Sequence, residues 1–177
     1  SDAKRRIARR AVDLIDNGDV IALDIGTTVF AMCEHLRERQ LTVVTASLPV
    51  VRVLLDAPAV DIVVLGGILR PTYESLVGVL TESCLRQIRV DKAFLGTAGV
   101  RRDGAVLDST PSEVPVKRAM MDIANQSWLL ADHTKFPGTG VLQVASISAF
   151  TGVVTDRALS DAEVLLADDD PLEVLIS

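Results

Sequence analysis

The chain has 177 residues, enough for one domain with a substantial core. It is 49% hydrophobic but only 3% aromatic, which suits buried parallel strands between helices, and its longest apolar stretches, such as "VDIVVLGGIL", stop short of the ~20 residues of a membrane span. A net charge of −6, from 24 acidic and 18 basic residues, repels phosphate backbones and argues against nucleic-acid binding by this chain itself.

Residues 3–16 place Ile7, Ala8, Ala11, Val12, Leu14 and Ile15 on one helical face, with the arginines of "KRRIARR" on a solvated one. That N-terminal stretch lacks the apolar run of a secretory signal. Gly18 ends the helix. "VIALD" (20–24) is the first predicted strand and 28–39 the next helix. "LTVVT" (41–45) is the second strand, and Ser47 caps a helix over 48–56. "AVDIVVLGG" (59–67) is the third strand, 76–88 a helix, and "DKAFLGTAGV" (91–100) the fourth strand. "GAVLD" (104–108) is a short strand. Residues 112–126 are a helix, with Pro115 tolerated in its first turn. "SWLLAD" (127–132) is the fifth strand, and "KFPGTGV" (135–141) is expected as a surface loop. "VLQVASISAF" and "TGVVTD" are further strands, "SDAEVLLAD" a last helix and "PLEVLIS" a final strand. The β–α alternation, with no repeat or linker, predicts a single α/β domain over 1–177: a mostly parallel sheet flanked by helices.

In such a sheet, ligands bind beyond the carboxyl ends of the strands. Five predicted ends carry small or polar residues: Asp24-Ile25-Gly26-Thr27-Thr28, Thr45-Ala46-Ser47, Gly66-Gly67, Gly96-Thr97-Ala98-Gly99 and Asp132-His133-Thr134-Lys135. At the first, a helix start supplies free amides and partial positive charge, Gly26 permits close approach, and Thr27 and Thr28 add hydroxyls: a small anion cradle without a P-loop lysine. Asp24 repels phosphate, so it is expected to meet sugar hydroxyls or to fix the loop. Such residues also serve as ordinary caps and turns, and it is their joint occurrence that points to a site.

Lys117 and Lys135 are the expected positive charges. Glu113 and Lys117, spaced i, i+4, also read as a surface ion pair, and Arg70 reads as exposed. Trp128 is assigned to the core. His35 and His133 have no partners at ligand spacing, so neither a metal nor a cofactor is expected. Cys33 and Cys84 form no framework and read as reduced thiols in a cytoplasmic protein.

The segments "GDVIALDIGTTVFAMCEHL", "TVVTASLPVVRVL", "VVLGGILRP", "DKAFLGTAGV", "EVPVKRAM", "LLADHTKF" and "GVVTD" occur in an order that resembles the C-terminal effector domain of DeoR-family bacterial transcription regulators, over about residues 7–157. The resemblance implies a fold like ribose-5-phosphate isomerase and the coenzyme A transferases, and a phosphorylated sugar or related metabolite as effector. It implies a winged helix-turn-helix ahead of residue 1 as the only route to DNA. It implies a ligand set of Asp24, Gly26, Thr27, Thr28, Thr45, Ser47, Gly66, Gly67, Gly96, Gly99, Glu113, Lys117, Asp132 and Lys135, with Asp108 the least certain candidate. Ala46 replaces the asparagine usual in the family's Thr-Asn-Ser segment, which is expected to remove one amide contact. A non-enzymatic sensor, a repressor of sugar-metabolism genes working as a homo-oligomer (dimer or tetramer), is the expected function. A sugar-phosphate isomerase and a ligand-free interaction scaffold are the alternatives, because a fold does not carry its chemistry with it.

Overall fold

In the computed structural model, all residues from Ser1 to Ser177 are described. Seven parallel strands form the main sheet. In chain order they are β1 (Val20–Leu23), β2 (Leu41–Thr45), β3 (Val60–Val64), β6 (Val90–Leu95), β9 (Ala124–Leu130), β11 (Gly152–Thr155) and β12 (Glu173–Ile176). Their spatial order is β12-β11-β9-β6-β1-β2-β3, and every neighbouring pair is parallel. The chain therefore winds outward from β1 in one direction, then restarts at β6 and winds in the other. The switch point lies between β1 and β6, and all carboxyl ends share one edge of the sheet.

Both faces are covered. One carries α1 (Asp2–Val12), α2 (Thr27–Phe30), α3 (Cys33–Leu36) and α4 (Leu48–Leu54), whose buried residues pack with Ile21, Leu23, Val43 and Phe94. The other carries α5 (Val79–Arg86), α6 (Val114–Ile123) and a small antiparallel sheet of β7 (Gly99–Val100), β8 (Ala105–Asp108) and β10 (Leu142–Ser146), against Ala22, Val44, Ala93 and Leu95. Alternate residues of β1 thus enter opposite cores, as strands buried on both faces require. Trp128 is in the core as expected, and Cys33 is buried there, its thiol pushed up to about 12 by desolvation.

Several predicted bounds shift for identifiable reasons. The helix predicted over 76–88 begins at Val79, because Ser75–Val77 is instead β5, paired with β4 (Ile68–Arg70) in an antiparallel ribbon. The helix predicted to reach residue 126 ends at Ile123, because Ala124 already pairs with Val90. The helix over 28–39 is broken into two single turns, and that over 3–16 ends at Val12. The last helix, in "SDAEVLLAD", does not form: Val164 bonds back to Ser160, but the Leu165 amide turns to the carbonyl of Arg102 and the ladder stops after one turn. In "KFPGTGV", Phe136 is buried in the second core, so that segment is anchored.

Gly152 lies where neighbouring strands leave no room for a side chain. A Cβ there would sit 2.4 Å from the Trp128 ring and 2.7 Å from the Glu173 carbonyl oxygen. Gly152→Ala is expected to cost about 1–3 kcal/mol, several degrees in Tm for a chain of this size, in a thermal unfolding experiment.

Candidate functional site

A cavity of about 620 Å³ opens at the carboxyl edge of the sheet, at the switch point. Its wall includes Gly26, Thr27, Thr28, Ser47, Gly96, Glu113, Lys117 and Lys135 from the expected set, together with Asp108. The cradle loop is formed as its sequence requires. Gly26 has φ 119° and ψ 152°, open to glycine and strained for any other residue, and it leads into α2. The amides of Thr27, Thr28 and Val29 open that helix and have no preceding turn to bond.

Behind the loop lies a buried ion pair. The Lys117 ammonium donates to Asp24 Oδ2 and to the Gly96 carbonyl at 3.0 Å, and Asp108 Oδ2 stands 3.6 Å away. The two paired side chains are 4% and 0% exposed. Asp24 Oδ2 also accepts from the Gly96 amide at 3.1 Å, while Oδ1 is sealed with no partner. Asp24 therefore fixes the loop, tying the end of β1 to the end of β6 and to α6, and does not meet the cavity. Burial pushes the Lys117 ammonium down, but Asp24 foremost, with Asp108 and Glu113, outweighs it and holds the group above the ordinary lysine range. A cation with a raised folded-state pKa contributes stability that is fully present below its unfolded value and is lost only as pH rises through the folded one, so the pair is intact throughout the neutral range.

Lys117 does not pair with Glu113 as the i, i+4 spacing suggests. Glu113 Oε1 instead accepts from Arg70 and, at 2.8 Å, from the Ser75 hydroxyl, which leaves Oε2 without a protein partner. Burial, reinforced by the Asp24 charge, pushes the Glu113 carboxyl above its usual range against the pull of Ser75 and Arg70. Arg70 is thus 19% exposed and committed, not a solvated arginine, and its guanidinium also lies 4.6 Å over the Tyr73 ring.

The remaining expected residues are structural. Thr45 donates to the Leu23 carbonyl at 2.9 Å and accepts from the Ser47 amide, which joins the ends of β1 and β2. Ser47 caps α4 and also reaches the cavity wall. Gly66 and Gly67 form the turn before the ribbon: Thr81 bonds the Gly66 carbonyl, and a Cβ on Gly67 would meet Thr81 Oγ1 at 2.0 Å. Gly99 lets β7 approach the backbone of Gly138 and Thr139, where a Cβ would lie 2.6–2.8 Å away. Asp132 caps the short turn 133–135 through the Thr134 amide and hydroxyl, and so presents Lys135. Ala46 packs into the second core, away from the cavity.

Other wall residues carry only weak signals in the sequence. Lys4, on the supposedly solvated face of α1, donates to Thr27 Oγ1 at 2.8 Å and lines the cavity. Its signal was its scarcity: the chain has only four lysines, and three of them, Lys4, Lys117 and Lys135, stand on this wall. Thr72 and Tyr73 come from the ribbon, and Thr97, Ser109 and Thr110 from the loops after β6 and β8. Of the four wall cations, Lys117 and Arg70 are ion-paired, whereas Lys4 and Lys135 have no carboxylate partner. No cluster of metal-ligating side chains is present, and no helix is long and apolar enough to cross a membrane.

Comparison with known proteins agrees with this architecture. The profile of the DeoR C-terminal sensor domain matches residues 1–157. The chain belongs to the DeoR family. Among DeoR relatives, the HTH-type transcriptional repressor GlcR of Bacillus subtilis is 34% identical over all of this chain and 68% of its own length. The L-fucose operon activator of Haemophilus influenzae is 31% identical over 90% of this chain and 64% of its own. The glycerol-3-phosphate regulon repressor of Escherichia coli is 34% identical over 88% and 62%. The chain thus spans about two thirds of these regulators. Ribose-5-phosphate isomerase A of Methanocaldococcus jannaschii shares the fold at TM-score 0.56 and 20% identity, over 76% of this chain and 53% of that one. The β subunit of eIF2B from Chaetomium thermophilum does so at 0.57 and 20%, over 77% and 43%.

The ion pair makes Lys117 a poor place to probe binding. Lys117→Ala leaves Asp24 buried and unpaired and is expected to cost ~3–5 kcal/mol in urea unfolding. Lys4→Ala, which removes only a half-exposed contact, is expected to stay within about 1 kcal/mol of wild type.

Proposed function

We propose that this chain is the effector-sensing part of a cytoplasmic DeoR-type repressor of sugar-metabolism genes, that its cavity takes a phosphorylated sugar, and that it is not an enzyme. The observation that carries this reading is the distribution of charge. Two unpaired lysines, Lys4 and Lys135, share the cavity wall with the free amides and hydroxyls of Gly26–Thr28, which suits a phosphate. Glu113 Oε2, Asp108 and Ser47 provide hydroxyl-binding groups on the same wall. The names of relatives, a glycerol-3-phosphate regulon repressor and lactose phosphotransferase system repressors, support a phosphorylated or sugar-related effector.

Signalling then runs through α1. Lys4 holds that helix to the cradle, so a phosphate bridging Lys4 and Thr27 would favour one placement of α1 and of a DNA-binding domain joined ahead of it, in a homo-oligomer. An effector acts only through different affinity for the two placements, and ~1–3 kcal/mol of coupling is typical.

An isomerase is disfavoured because both candidate bases are engaged: Glu113 is held by Arg70 and Ser75, and Asp108 accepts from the Thr110 amide and stands 3.6 Å from the Lys117 ammonium. Calorimetry with a panel of sugar phosphates is expected to find a binder. Lys4→Ala or Thr27→Ala should weaken that binder about tenfold or more without unfolding the chain, since bonds to a charged group contribute ~1.5–3 kcal/mol. No binding at millimolar concentration would overturn the effector reading. Conversion of ribose 5-phosphate to a ketose would replace it with the enzyme.

A further inference from the structure

The chain has six aromatic residues, and four of them are in the core: Phe94, Trp128, Phe136 and Phe150 are 0–4% exposed. The other two, Phe30 at 39% and Tyr73 at 56%, both line the cavity at the switch point. A chain so poor in aromatic side chains gains by burying them, since each takes ~150–250 Å² out of water. Both of its exposed rings nevertheless stand on one cavity wall. They form an apolar part of the site that the lysines and hydroxyls do not account for.

The two rings are presented differently. Phe30 ends α2, three residues on from Thr27 and so on the same side of that helix, and its amide bonds the Gly26 carbonyl at 2.9 Å. It is fixed to the anion cradle. Tyr73 stands in the turn that joins β4 to β5, and that turn is tied down at both ends. The Arg70 guanidinium lies 4.6 Å over the Tyr73 ring and is itself bonded to Glu113. Glu74 has φ 50°, a left-handed conformation uncommon outside glycine. Its carboxylate is held by Arg52 at 2.6 Å, and its carbonyl accepts from the Leu48 amide at 2.9 Å. One face of the ring is thus taken by a guanidinium, and with the residue 56% exposed the other face is open. Strain held in a turn that presents an uncovered ring is characteristic of binding sites.

We propose that Tyr73 sets the specificity of the cavity: its open face stacks on the C–H face of a closed sugar ring, so the effector is a cyclic sugar phosphate and not an open-chain polyol phosphate of equal charge. This role rests on the effector reading and refines it. The phosphate end, met by Lys4, Lys135 and the amides of Thr27 and Thr28, is read by charge and does not distinguish a ring from a chain. The far end does. A closed ring offers a face of weakly positive hydrogens to the negative face of an aromatic. It keeps its hydroxyls at the rim, where Glu113 Oε2, Asp108 and Ser47 share the wall. An open chain carries hydroxyls on every side and loses more internal rotation when it is held flat.

Calorimetry on this chain tests it with glucose 6-phosphate, fructose 6-phosphate and ribose 5-phosphate, the alditol phosphate made by reducing each, adenosine 5′-monophosphate and inorganic phosphate. The tightest sugar phosphate is expected to bind more tightly than its own alditol. Tyr73→Ala should weaken that sugar phosphate roughly fivefold, Tyr73→Phe should bind it as wild type does, and neither should change the affinity for inorganic phosphate. Tyr73 is the chain's one tyrosine, so protein labelled with 3-fluorotyrosine gives a single fluorine resonance, which should shift with the sugar phosphate and not with inorganic phosphate. That signal reports contact even if Tyr73→Ala disturbs the turn. An alditol that binds as tightly as its parent sugar, a Tyr73→Ala chain that binds the sugar phosphate like wild type, an unmoved resonance, or tighter binding of the adenosine nucleotide than of any sugar phosphate overturns the proposal. The first three leave the effector reading standing, whereas no binding by any compound removes both.

Discussion

The buried pairing of Lys117 with Asp24 is the constraint on which the site depends. Three elements meet there: the end of β1, the end of β6 through the Gly96 amide and carbonyl, and the middle of α6. In an open parallel sheet those strand ends diverge at the switch point, and the crevice between them would otherwise be an unsupported gap. The pair closes the floor of that gap with fully desolvated charges. Such a pair adds little over an apolar floor of the same shape, but removing either partner strands the other. It is therefore better understood as fixing where the loops stand than as a source of net stability.

That floor divides the cavity's charges by task. Lys117 and Arg70 are neutralised by Asp24 and Glu113, so they shape the wall without attracting an anion strongly. The uncompensated positive charge is left to Lys4 and Lys135, which lie 131 residues apart in the chain (135 − 4). One is carried by α1, the other by a turn whose cap is Asp132. A single anion that recruited both would link the N-terminal helix to the core of the domain. A sensor needs such a link between a small ligand and a distant element.

Much of this was legible in the sequence, for physical reasons. The parallel sheet followed from aliphatic runs alternating with helical periodicity, and β2 was found at its true bounds because "LTVVT" is flanked by a turn and by the capping Ser47. The cradle at Gly26–Thr28 was legible because its backbone chemistry is local. What failed was tertiary. The ribbon at 68–77 was hidden because "SLVGVL" suits a helix equally well until β4 is there to pair with it, and Arg70 looked solvated until that ribbon turned it onto Glu113. The helix in "SDAEVLLAD" was lost to a single bond from Leu165 to a carbonyl 63 residues earlier in the chain, at Arg102. Asp24, Thr45, Gly66, Gly67, Gly99 and Asp132, expected in the ligand set, stand at or just beyond strand ends, but none of them lines the cavity. Whether such a residue touches the cavity or holds a neighbour that does is decided by side-chain direction, which sequence spacing does not encode.

The most direct test of this account is a crystal structure of the chain with a sugar phosphate that binds it. The account predicts phosphate oxygens bonded to the amides at Thr27 and Thr28 and to the Lys4 and Lys135 ammonium groups, with the Lys117–Asp24 pair unbroken beneath them. A phosphate bound elsewhere, or one that draws Lys117 away from Asp24 to reach it, would contradict it.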